Sequence, residues 1–138
     1  MLNVSRSRLP FLTTLGCQGA VVLLITACAA DPDERLPEGR WTGSLQPMNH
    51  PEAATSIGYE VAYSNRELAL SVLGPDGTVL PARGASLVDD TLRFTFDEPE
   101  RGAPLRCVLV RDPAGDRLAG RCTDDAGKWA TFTMVAPR

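Results

Sequence analysis

The 138-residue chain has a single histidine, His50, and little lysine. It carries no phosphate-cradling glycine loop, no Gly-x-Ser-x-Gly turn and no cysteine–histidine spacing of a zinc site. A base at His50 would need a nucleophile and an orienting group held on rigid elements. Lying between Asn49 and Pro51, it reads instead as a solvated loop histidine. The chain is therefore expected to be no enzyme and to hold no cofactor and no metal. Paired acids stand at Asp31/Asp33, Asp89-Asp90 and Asp124-Asp125. Calcium sites use several such oxygens, but two of these pairs fall at turns, where aspartate caps its own backbone. All three pairs are read as turn formers.

Long apolar runs are confined to the first 28 residues. Arg6 and Arg8 precede a stretch of apolar and small residues with no acid, which ends in Ile25-Thr26-Ala27-Cys28. A basic start, an apolar middle and a small-residue end describe an export signal. The last four residues further resemble the lipobox of bacterial lipoproteins, so the chain is identified as a member of that class. The resemblance implies cleavage before Cys28, a diacylglyceryl group on that cysteine and a lipid-held location in the cell envelope. Ala29 stands where an aspartate often retains Gram-negative lipoproteins in the inner membrane. This favours the outer membrane, if the organism has one.

Removing residues 1–27 from 138 leaves 111, a length that suits one domain. The remaining 12 basic and 17 acidic residues argue against nucleic acid, which requires clustered positive charge. Residues 28–38 are charged, carry Pro32 and Pro37 and show no periodicity, so they read as a lipidated tether. As a flexible coil it would span roughly 20 Å. Of the four cysteines, Cys17 leaves with the signal and Cys28 takes the lipid. Cys107 and Cys122 remain, and in an oxidising compartment a disulfide is their expected state.

From Gly39 the apolar period is two. Trp41, Gly43 and Leu45 alternate with polar residues, as do Ile57, Tyr59, Val61 and Tyr63. Further strands are read at Leu68–Val72, at 82–88 (weaker, interrupted by Gly84), and at Leu92, Phe94 and Phe96. Residues 105–112 and 117–123 flank Pro113-Ala114-Gly115-Asp116 and form a tight hairpin. Folded symmetrically about the Ala114–Gly115 bond, it sets Cys107 opposite Cys122 and Leu109 opposite Gly120. Residues 129–136 make the last strand, with Phe132 and Met134 facing inward. About eight short strands joined by turn signals, with no helix needed after Cys28, indicate a mainly β domain over residues 39–138. The expected form is a small antiparallel up-and-down barrel, since closure removes exposed edges; the alternative is a β-sandwich.

Gly39-Arg40-Trp41 at the start of the first strand resembles the Gly-x-Trp that opens the barrel of lipocalins and related calycins. That likeness implies a calycin-like barrel with Trp41 packed across its closed end. Trp41, Tyr59, Tyr63, Phe94, Phe96 and Phe132 are then either ligand-lining residues or core. An eight-stranded interior holds side chains or one small ligand, and so few aromatics favour a filled core. The functional expectation is a non-enzymatic binding or interaction module held to the membrane through Cys28. Its partner would be an envelope protein or a small apolar ligand. The alternatives are an inhibitor of an envelope protease or lysozyme acting through residues 48–54, and a carrier of a small apolar ligand.

Overall fold

The computed structural model describes residues 35–99 and 102–138. The signal segment, Cys28 and the Asp31/Asp33 pair lie outside these residues. Nine strands follow one another: β1 (Gly39–Pro47), β2 (Thr55–Ser64), β3 (Glu67–Leu73), β4 (Val79–Pro81), β5 (Arg83–Val88), β6 (Thr91–Asp97), β7 (Pro104–Arg111), β8 (Arg117–Thr123) and β9 (Trp129–Val135). A one-turn 3₁₀ segment, Pro51–Ala53, interrupts the connection after β1. All pairings are antiparallel, in the order β4-β3-β2-β1-β9-β8-β7-β6-β5. The first and last strands pair, so the meander curls into a nearly closed up-and-down barrel.

Closure is completed by a single bent strand. β4 pairs with β3 and β5 pairs with β6, and only Ala82 separates them. The Ala82 N–H donates to Leu70 O at 2.9 Å. Beyond it, Gly84 takes φ +60° and the register shifts between Arg83 and Ser86, a bulge that turns the strand toward β6. The sequence pattern counts this stretch as one strand beginning at Ala82. β4 is hidden in the sequence by Pro81, which a ladder tolerates only where its missing N–H is not needed.

Turn chemistry fixes the hairpins. Asn65-Arg66 and Asp89-Asp90 have φ of 51°, 68°, 49° and 61°. Positive φ at both central residues is the two-residue turn whose twist matches that of the strands. The β7–β8 and β8–β9 turns are built alike. Gly115 (φ +80°) and Gly127 (φ +79°) donate back to Asp112 O and Asp124 O at 2.9 and 3.1 Å. In each turn the leading aspartate side chain also accepts backbone N–H groups. The Asp124 carboxylate caps its turn, and Asp89-Asp90 occupy the two central positions of theirs by backbone conformation, so both pairs sit at turns as read from sequence. Asp90 additionally pairs with Arg111 at 2.7 Å.

The β7–β8 register is the expected one: Cys107 faces Cys122 and Leu109 faces Gly120. The two cysteines form a disulfide across Cα atoms 4.0 Å apart, the close approach of a non-hydrogen-bonded pair. It points inward, with both residues at most 2% exposed. A Cβ built on Gly120 would collide with Val108 O and come within 2.7 Å of Leu109 Cα. Only glycine lets the backbones approach this closely at that inward position.

Candidate functional site

Side chains fill the barrel axis. Trp41, Tyr59, Phe94, Phe96 and Phe132 are at most 3% exposed and belong to one cluster with Leu92, Leu109, Leu118 and Met134. Phe94, Phe96 and Phe132 pack ring to ring at 6.0–6.1 Å. Of the six aromatics that sequence offers as lining or core, these five are core. The sixth, Tyr63, is half-buried at one barrel end. The two tyrosine hydroxyls have different fates. Tyr63 Oη accepts the Leu36 N–H at 3.0 Å. Tyr59 Oη is buried without a hydrogen-bond partner among the described residues, and burial pushes its phenol far above the ordinary value.

The two ends of the barrel differ. At the end where the chain enters, the residues ahead of β1 fold across as a plug. Leu36 is 2% exposed. Trp41 Nε1–H donates to Pro37 O at 2.9 Å, and the Tyr63 N–H donates to Glu38 Oε1 at 3.0 Å. The Arg35 guanidinium lies 4.6 Å over the Tyr63 ring. Trp41 therefore does pack at a closed end. The tether boundary read at Glu38 is too late, however: an isolated leucine between charged residues carries no period, and only the folded barrel reveals its slot. Beside this plug, a cleft of about 460 Å³ follows the unpaired stretch between the start of β3 and β5, with Leu68, Ala85 and Leu87 in its wall.

The opposite end is open. Connections β1–β2, β6–β7 and β8–β9 surround a cleft of about 290 Å³. Its floor is the last inward layer of the barrel, Leu45, Leu105, Ala130 and Cys122 of the disulfide. Met48 (40% exposed) and the half-buried Trp129 form a lip, joined by the Met48 N–H to Trp129 O bond of 3.2 Å. Arg121 covers the outer face of the Trp129 ring at 4.1 Å. His50, Glu98 and Lys128 reach the rim. His50 is an exposed loop histidine whose Nδ1 lies 3.1 Å from Glu52 Oε1. Among the described residues there is no group of three side chains able to hold a metal. Sequence reasoning pointed to residues 48–54 as a loop but did not single out Trp129, because the period-two pattern sets it on the face opposite Phe132 and Met134 and says nothing of the loop it meets.

Comparison with known proteins adds the architecture alone. No protein-family model matches the chain. No curated protein matches it in sequence. Among solved structures the chain is similar to a redesigned β-barrel, at 15% identity and a TM-score of 0.57, over 73% of this chain and 91% of that one. It is likewise similar to a de novo designed fluorescence-activating β-barrel, at 14% identity and a TM-score of 0.52, over 75% and 96%.

Proposed function

We propose that this is an envelope lipoprotein, anchored through Cys28, whose β-barrel is a non-enzymatic binding module working through its open end. The observation that carries the reading is the contrast between the interior and the two ends. The axis is occupied by aromatic and aliphatic side chains and the disulfide, and no polar or charged residue is buried among the described residues. A site for a carried ligand is concave and apolar with a few placed polar groups. Among the described residues Tyr59 Oη is the one buried side-chain polar atom without a partner, and its residue belongs to the packed core. The entry end is plugged by residues 35–38. The open end has an apolar floor, an aromatic–thioether lip and a polar rim, the composition of a protein contact surface. This favours a partner protein over a small apolar ligand held in the barrel. It also favours the inhibitor reading, in which residues 48–54 reach an envelope enzyme.

Location and binding are tested separately. Metabolic palmitate should label the wild type, and Cys28→Ser should be released or persist as precursor; an unlabelled wild type refutes the anchor. For binding, a photo-crosslinking residue at Met48 should trap an envelope protein, whereas one at Val108 on the outer wall should not. Crosslinks from Val108 alone would move the function away from the open end.

A further inference from the structure

Sulfur is rare in the folded part of the chain, and its placement is uneven. Of three methionines and four cysteines, the described residues hold Met48, Met134 and the Cys107–Cys122 pair. Met134 is 0% exposed, and the two cysteines are joined to each other and at most 2% exposed. Met48 is 40% exposed. It is therefore the one sulfur among the described residues that a dissolved reagent can reach in the folded protein.

That sulfur belongs to the open end. Met48 lines the cleft there with Trp129, beside the apolar floor of Leu45, Leu105 and Ala130. Main-chain bonds hold its turn. The Met48 N–H donates to Trp129 O at 3.2 Å, and the His50 N–H donates to Pro47 O at 3.3 Å. A chemical change in the Met48 side chain leaves those bonds in place and alters only what the lip offers a partner. A thioether is apolar and adapts to irregular shapes. A sulfoxide is polar, and pressing it against an apolar surface strips its water without a replacement bond.

Resting on the open-end reading above, we propose that Met48 is an oxidation-sensitive switch: a hydroperoxide converts its thioether to the sulfoxide and thereby weakens docking at the open end. The Sδ lone pair attacks the terminal oxygen of the hydroperoxide. The O–O bond breaks as the S–O bond forms, and the proton of that oxygen passes to the departing one, which leaves as water or an alcohol. Sulfur gives up the electron pair that the peroxide takes. Methionine sulfoxide reductases reverse the change.

Two measurements test the switch. In the first, folded protein is treated with hydrogen peroxide and mapped by mass spectrometry. Met48 should gain an oxygen, while Met134 stays a thioether until urea unfolds the barrel. Protection of Met48, or equal oxidation of Met134 in folded protein, overturns the proposal. The melting temperature should hold; a fall would assign any lost docking to unfolding and overturn it too.

The second measurement uses envelope membranes carrying the full chain with a photo-crosslinking residue at Asn49, which lines the same cleft and leaves Met48 in place. Peroxide before irradiation should reduce capture about five-fold or more, and a sulfoxide reductase should restore it. Met48→Gln, a lasting polar replacement, should capture as weakly without peroxide. Met48→Leu has no sulfur, so its capture should be the same with and without peroxide. Undiminished capture by the oxidised protein overturns the switch, as does an equal fall in Met48→Leu, which would place the loss elsewhere. Untreated protein that captures nothing at Asn49 overturns the open-end reading as well, an outcome distinct from capture that peroxide fails to change.

Discussion

Replacing Tyr59 by phenylalanine removes one oxygen from the middle of the barrel and should stabilise the protein. Tyr59 lies on β2 between Trp41 of β1 and Val72 of β3, fully buried. Its ring leans over Gly43, where an added Cβ would sit 2.8 Å from Tyr59 Cε2. With no partner among the described residues, the hydroxyl has lost its water without gaining a hydrogen bond, at a cost of about 1–3 kcal/mol. Phenylalanine keeps the ring and drops that cost. A gain of about 1 kcal/mol is expected, and a domain this size should then melt about 4–8 °C higher. The same hydroxyl makes an independent prediction in alkali. The unfolded phenol loses its proton near the ordinary value of 10, while burial keeps it protonated in the folded state. Above that pH the unfolded state binds fewer protons than the folded one, so stability falls as pH rises, by about 1.4 kcal/mol per unit. Below pH 10 this contribution is fully present. By pH 11.5 the wild type should have lost about 2 kcal/mol relative to Tyr59→Phe; Tyr63, present in both proteins, cancels. Urea melts of the pair at pH 8 and pH 11.5 read both effects. A Tyr59→Phe protein that melts lower at pH 8 would refute the reasoning, because the hydroxyl would then have to be bonded in the folded state. Parallel alkaline loss in the two proteins would refute the assignment to Tyr59.

The disulfide should show no free thiol in intact protein, and its 15-residue separation implies a stabilisation of about 3 kcal/mol. Because both cysteines are at most 2% exposed, a small reductant should cut it slowly under native conditions and quickly in urea; fast native reduction would contradict an inward-facing bridge. Gly120→Ala forces a methyl group into Val108 O and should cost more than about 3 kcal/mol or abolish folding, seen as loss of a cooperative melt; a near-neutral result would contradict the close strand approach. Leu36→Ala should cost about 2–4 kcal/mol, measured by urea unfolding, because Leu36 is a plug residue of the core; a change within 0.5 kcal/mol would return residues 35–38 to the tether.

The legible part of the fold was whatever is fixed by neighbours in the chain. Alternation at Tyr59, Val61 and Tyr63 or at Leu92, Phe94 and Phe96 names the inward face of a strand, because side chains alternate with period two. The β7–β8 register followed from a turn and two cysteines that agree on one midpoint. Turn residues carried their own geometry, as at Asp112 to Gly115, where the aspartate caps the turn that the glycine permits. The open-end site was less legible. Residues 48–54 stood out as a loop, but the cleft is assembled from β1, β7, β8 and β9 and from turns far apart in sequence. The period-two pattern separates core Trp41 from Trp129, which falls on the face opposite Phe132 and Met134, but it does not show that Trp129 forms a lip with Met48.

By itself, then, the sequence determined eight of the nine described strands, most of their turns, the inward faces and the cysteine pair, since each depends on local conformational preference and period. Only the tertiary structure decided that the aromatics fill the barrel and that Leu36 plugs one end. It also decided that the strand through Ala82 bends to close the sheet and that an apolar-floored cup stays open at the other end. Those outcomes depend on how nine strands curl around a common axis and on which layers meet at each end, and no local signal specifies that geometry.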